Sequence, residues 1–127
     1  MKNHLLLPLA LLFTILTFSL WNGTSISNEV SRWQQQLDHS DLLAQTEDWA
    51  GAVSVLTAGY NDWSQHQTWL HIVSHHTVID DAESMYHRAI AFAAAREPSE
   101  FRAELADLRD QLGLLAETER FSLKNVL

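Results

Sequence analysis

The chain has 127 residues, with 16 acidic and 8 basic side chains, a formal charge of −8, no cysteine, 2 prolines and 4 glycines. That length suits one domain and is too short for two. Without cysteine there is no disulfide scaffold, thiolate metal site, cysteine nucleophile or cysteine-borne lipid anchor, and the acidic balance argues against nucleic acid, whose phosphates need a basic face.

The first segment stands apart from the rest. No Asp, Glu, Lys or Arg occurs from Asn3 to Asn28, and Leu5–Trp21 (LLLPLALLFTILTFSLW) is almost continuously apolar. At about 1.5 Å per residue this stretch reaches roughly 25 Å, slightly under the hydrocarbon core of a bilayer, and the uncharged polar flanks make up the difference. Trp21 falls where an interfacial aromatic would sit. Lys2 is the only charge before the span and Glu29 the first after it, so the positive-inside rule puts the N-terminus in the cytoplasm and residues 27–127 outside it. Residues 1–26 are therefore expected to anchor the chain in the cell membrane through residues 5–21. A cleaved signal peptide is the competing reading. Its best cleavage candidate is Gly23-Thr24-Ser25 after a bulky Trp21, with no Ala-x-Ala present, so the uncleaved anchor is preferred. Asn22-Gly23-Thr24 matches the N-glycosylation pattern but lies so close to the membrane that it reads as chance.

Beyond it, apolar residues recur at alternating steps of three and four, the mark of helices burying one stripe, and no convincing period-two strand occurs. Ile26, Val30, Trp33 and Leu37 place a first segment over roughly 27–44, capped by Ser27 or Asn28 and continuing from the membrane helix. A second opens at Thr46 as N-cap, with Glu47 and Asp48 in its first turn. Its seam is Trp49, Val53, Leu56, Tyr60, Trp63, Gln67 and Leu70. A third has the seam Ile72, His75, Ile79, Ala82, Tyr86, Ala89 and Ala93, offset in phase from the second, which predicts a turn or kink within 64–72. Pro98 disfavours helix at Glu97, so this segment should stop near Arg96. The fourth begins with Ser99 as cap and carries Phe101, Leu105, Leu108, Leu112 and Leu115, with Glu119 and Ser122 in phase. The apolar residues of Phe121–Leu127 suggest a docked chain end. The last three segments span about 20–28 residues each, and their short connections favour antiparallel neighbours. The expected fold is all-α: an N-terminal transmembrane helix followed by an extracytoplasmic antiparallel bundle of three to four helices over residues 27–127. The near-3.5 spacing also leaves a coiled-coil assembly between chains open.

Charge and histidine are unevenly placed. From Trp33 to His87 there are 55 residues without Lys or Arg, eight acids and six of the seven histidines. The plain reading is a solvated acidic surface with incidental histidines. The sharper one is a pH-responsive or divalent-metal-binding face. His71 and His75 share a helical face, as do His76, Asp80, Glu83 and His87, and imidazole with carboxylate at such spacing suits zinc or a similar ion. A structural site needs four ligands at one point, however, and a single stripe offers two well. His75 lies on the apolar seam and reads as a packed core histidine. Trp33, Trp49 and Trp63 read as core, whereas Trp69, just off a seam, is the one whose exposure is left open. No Gly-x-Ser-x-Gly, Walker loop, dinucleotide fingerprint or His-Glu-x-x-His occurs. Ser74 beside His75 and His76 is adjacency in sequence rather than triad geometry, so no catalytic residue and no cofactor is assigned.

Taken in order, the N-terminal apolar segment, Trp49-x3-Val53-x2-Leu56-x3-Tyr60-x2-Trp63, His75-x3-Ile79-Asp80, Phe101-x3-Leu105-x2-Leu108-x3-Leu112 and Glu119-x2-Ser122-Leu123-x-Asn125-Val126 resemble a family of small membrane-anchored bacterial proteins, largely from Firmicutes, catalogued as domain of unknown function 4363. The likeness covers most of the chain, and the Ser-Leu-x-Asn-Val ending is its most distinctive part. It implies the topology and the helical fold and implies no activity. The sequence thus points first to a non-catalytic interaction or scaffolding module at the cell envelope, partnered by another envelope protein or by its own copies. An extracytoplasmic sensor of protons or divalent metal is the alternative, and an enzyme the least supported reading.

Overall fold

The computed structural model describes the backbone at residues 3–66 and 76–126 and the side chains at 6–17, 28–66 and 76–117. Within these residues the chain is all-helical. Helix α1 spans Asn3–Gln45, α2 Trp49–Gln65, α3 His76–Ala94 and α4 Pro98–Val126. Among the described residues no helix is long and apolar enough to cross a membrane.

Cross-helix bonds give the topology. Between α1 and α2, Arg32 reaches Asp62 while Ser40 reaches Ala52. Between α1 and α4, Gln34 reaches the Arg109 carbonyl while Asp41 faces Arg102. Between α3 and α4, Gln111 reaches the Val78 carbonyl while Arg88 meets Glu104. In each pair the numbers rise on one helix as they fall on the other, so these neighbours are antiparallel. Helix α1 packs on α2 and α4, and α3 packs on the same two. The helices therefore run up and down around a square in chain order, as short turns between antiparallel helices favour.

The stripes predicted for the third and fourth segments are the observed core. Ile79, Ala82, Tyr86, Ala89 and Ala93 of α3 are buried, as are Phe101, Leu105, Leu108, Leu112 and Leu115 of α4. Helix α2 departs from its predicted seam. Its most buried line is Ala52, Leu56, Gly59 and Trp63, with Trp49, Val53 and Tyr60 half-buried beside it. Gly59 is small for a reason: a Cβ there would stand 3.1 Å from Gln36 Oε1 and 3.5 Å from Gln36 Cβ. Trp49, predicted as core, instead leans edge-on against Phe101 at a centroid distance of 5.6 Å. Trp33 and Trp63 are core as predicted. Trp69, Gln67, Leu70 and Ile72 lie outside the described residues, and for Glu119, Ser122 and Phe121–Leu127 no side chain is described.

Three boundaries differ from expectation. Asp48, not Thr46, caps α2, its carboxylate accepting from Gly51 N at 2.9 Å, while the Thr46 hydroxyl turns back to the Leu43 carbonyl. Helix α4 begins at Pro98, one residue before the predicted cap Ser99, because the fixed φ of proline suits a first helical position. Helix α3 stops at Ala94, in keeping with the expected end near Arg96, which lies in the turn. No cap is needed at Ser27 or Asn28, since α1 passes through them unbroken. Helix α2 ends at Gln65 with His66 as C-cap, inside the 64–72 window where the phase offset requires a change of direction.

Large rings and small residues share one core, with Trp33, Trp63, Tyr86 and Phe101 buried together with Ala52, Ala82, Ala89 and Ala93, and complementarity of size sets how closely helices approach. Two substitutions probe it by chemical denaturation. Leu108→Ala should cost about 2–5 kcal/mol through the cavity it leaves. Ala89→Leu should cost about 1–3 kcal/mol by forcing α3 outward.

Candidate functional site

The acidic, histidine-bearing stripe of α3 does not converge. His76 Nε2 lies 3.4 Å from Asp80 Oδ2 on an exposed face. Glu83 and His87 are drawn instead to Tyr60 of α2. The Tyr60 hydroxyl donates to Glu83 Oε1 at 3.0 Å, and the His87 ring sits 4.9 Å from the Tyr60 ring. Among the described residues no three His, Cys, Asp or Glu side chains could hold a metal ion together. His71 and His75 lie outside the described residues.

The structure gathers a different polar group at the α1–α2 face. Arg32 grips Asp62 with two hydrogen bonds, Nε to Oδ2 at 3.0 Å and Nη2 to Oδ1 at 2.9 Å, and also pairs with Glu29. Gln36 Nε2 adds a bond to Asp62 at 3.2 Å. His66 closes the group. Its Nδ1 lies 2.9 Å from the Asp62 carbonyl, its Nε2 lies 3.8 Å from Glu29, and its ring meets Trp33 edge-on. Burial pulls the Arg32 pKa down, but the hydrogen bonds and charge of Asp62, with Glu29 beyond, outweigh it and raise the value. Separation in sequence hides this group, since its members span Glu29 to His66 on two helices.

Beneath it lies an aromatic centre. The Trp63 and Tyr86 rings are 5.3 Å apart, and Tyr60 leans on Tyr86 at 5.6 Å. The Trp33 and Trp63 indole nitrogens and the Tyr86 hydroxyl are buried and have no hydrogen-bond partner among the described residues. Burial pushes the Tyr86 pKa up strongly, and the Asp62 charge adds to it. Burial also raises that of Tyr60, with the bond to Glu83 second.

The end of the bundle where α1 and α3 finish carries a cleft of about 510 Å³ lined by residues that include Asp41, Glu47, Trp49, Arg96, Phe101 and Arg102. Two similar turns border it. In the first, Asp48 N donates to the Leu43 carbonyl and Glu47 N to that of Ala44; in the second, Glu97 N donates to Phe92 and Arg96 N to Ala93. This double bond pattern needs a left-handed residue at its corner, usually glycine. Here the corners are Glu47 at φ 64° and Arg96 at φ 57°. Each costs about 1 kcal/mol relative to glycine.

Similarity to known sequences adds the lineage. The family model described as Domain of unknown function (DUF4363) matches residues 20–126. The chain belongs to the DUF4363 family. No match was found among curated proteins or solved structures. The DUF4363 match opens inside α1 and closes at the end of α4, so it takes in every helix of the bundle.

The tyrosines of this DUF4363 chain give a pH test. A folded-state pKa above the unfolded value of about 10 adds stability that is fully present below pH 10 and lost as pH rises further. The Tm should hold to about pH 9.5 and fall above it. Tyr86→Phe should flatten that fall. At neutral pH the same variant should match or exceed the parent by about 1 kcal/mol, because an unpartnered buried hydroxyl is removed. A loss of stability at pH 7 would contradict this account.

Proposed function

We propose that the protein is a non-catalytic interaction or scaffolding module held at the cell membrane by residues 5–21. The N-terminus faces the cytoplasm and the bundle lies outside. The carrying observation is the split character of α1. Its second half is a wall of the bundle, whereas along its first part Leu6, Leu7, Leu9, Leu11, Leu12, Phe13 and Ile15 are all exposed. Water solvates so continuous an apolar surface poorly, and lipid would cover it. The uncharged run from Asn3 to Asn28 supports the same reading. Another envelope protein, or a second copy, is the partner class.

A second reading, a response to protons, is favoured by His66. Its Nδ1 faces a carbonyl, which only accepts, so Nδ1 carries the hydrogen. Its Nε2 faces Glu29, with Arg32 and Asp62 alongside.

The full chain should remain in the membrane pellet after alkaline carbonate extraction, and Leu9→Lys with Leu12→Lys should release it. Recovery of the parent chain in the supernatant would remove the tether. Because there is no native cysteine, a single Asp81→Cys should report the side of the membrane through an impermeant maleimide. Crosslinking in native membranes should capture one reproducible partner or a dimer, and a clean monomer would count against the interaction role. For the proton reading, crosslink yield should differ between pH 5.5 and 7.5 in the parent and not in His66→Gln; identical yields in the parent would eliminate it.

A further inference from the structure

We propose that the distal part of α4, Arg120–Val126, meets the same membrane as the α1 anchor and binds the phosphate headgroups of an anionic lipid surface. The inference rests on the tether reading above and gives the bundle a second contact with the bilayer.

Register carries the argument. Gln34 Nε2 donates to the Arg109 carbonyl at 3.1 Å, which sets α1 against α4 at one level. The Asp41–Arg102 pair lies seven residues further along α1 and seven back along α4, so the two helices run side by side without slipping. Thirteen residues back from Gln34 is Trp21, and thirteen on from Arg109 is Ser122. Both helices are unbroken over these stretches. At about 1.5 Å per residue each covers roughly 20 Å, which puts Ser122 at the level of Trp21, where the apolar run of α1 meets the headgroups. By the same register Val126 stands level with Thr17. The exposed apolar residues from Leu6 to Ile15 all lie further along α1 than that level.

The composition of this stretch matches the boundary it reaches. No acid follows Glu119, and Arg120–Val126 holds Arg120 and Lys124 beside Phe121, Leu123 and Val126. In the bundle, by contrast, Arg32, Arg88, Arg102 and Arg109 are each paired with an acid of a neighbouring helix. Arg120 and Lys124 are four apart in α4 and so occupy one face of it. A basic pair among apolar residues is the composition that an anionic interface attracts, since apolar groups enter the boundary while long cationic side chains keep their charge among the phosphates. In a chain of net charge −8, a positive stretch at the boundary also offsets the repulsion between an acidic bundle and anionic lipid.

The absence of native cysteine allows single fluorescent labels on the full chain, through Val126→Cys, Ile15→Cys or Ser99→Cys. Each is reconstituted in vesicles of mixed phosphatidylcholine and phosphatidylglycerol, with a nitroxide quencher carried by one lipid or the other at equal mole fraction. The label at position 15 should be quenched equally by both lipids, and the label at position 99, at the far end of the bundle, by neither. The label at position 126 should be quenched, with phosphatidylglycerol preferred over phosphatidylcholine by about fivefold or more. Arg120→Gln with Lys124→Gln should abolish that preference at unchanged helicity, and the exchange Arg120→Lys with Lys124→Arg should retain it. Quenching at position 15 without any at position 126 would overturn the contact and leave the tether standing. Equal quenching by the two lipids at position 126, or a preference that survives the double glutamine variant, would overturn the assignment to anionic headgroups. Absence of quenching at position 15 would mark failure of the tether itself, and the contact falls with it.

Discussion

The bundle depends on one packing solution at its centre, where Trp33, Trp63 and Tyr86 from three different helices share a core with leucines of α4. Each ring buries about 150–250 Å², which at about 25 cal/mol per Å² contributes roughly 4–6 kcal/mol. Their three polar atoms have no partners among the described residues, a cost of about 1–3 kcal/mol each. Burial outweighs the lost hydrogen bonds, so shape wins over polarity here. The alanines of α3 belong to the same core, whereas Gly59 of α2 makes room for Gln36.

Parts of this were legible in the sequence because hydropathy marks them. The α3 line Ile79–Ala93 and the α4 line Phe101–Leu115 alternate by threes and fours with no exception, and both are buried throughout. The true line of α2 escaped detection, since Ala52 and Gly59 carry little hydropathy signal while their large neighbours Val53 and Tyr60 carry more. Thr46 and Asp48 both bear a side-chain oxygen, and only the turn decides which one reaches Gly51. The Asp41–Arg96–Arg102 cleft was invisible for another reason: its members lie on opposite sides of two intervening helices, and no local pattern links them.

Charge tells a similar story. The long stretch without Lys or Arg looked like an acidic face in sequence. In the fold, several of its acids meet arginines from outside it: Asp38 with Arg109, Asp41 with Arg102 and Asp62 with Arg32. Partly exposed pairs of this kind contribute little stability, typically 0–1 kcal/mol each. The two that join α1 to α4 instead favour one sliding register of those helices over its neighbours. The imbalance of the sequence is in this sense a division of labour between the ends of the chain.

Helix α1 continues without interruption from its exposed apolar residues to Gln45 at the cleft end. A continuous α-helix fixes azimuth as well as distance, turning about 100° and rising about 1.5 Å with each residue. The direction in which the cleft faces is therefore geared to how the apolar part is rotated about its own axis. One residue added to the shaft would swing the whole bundle by more than a quarter turn while lifting it hardly at all. Seven added residues would bring it back to nearly the same bearing, about 10 Å higher.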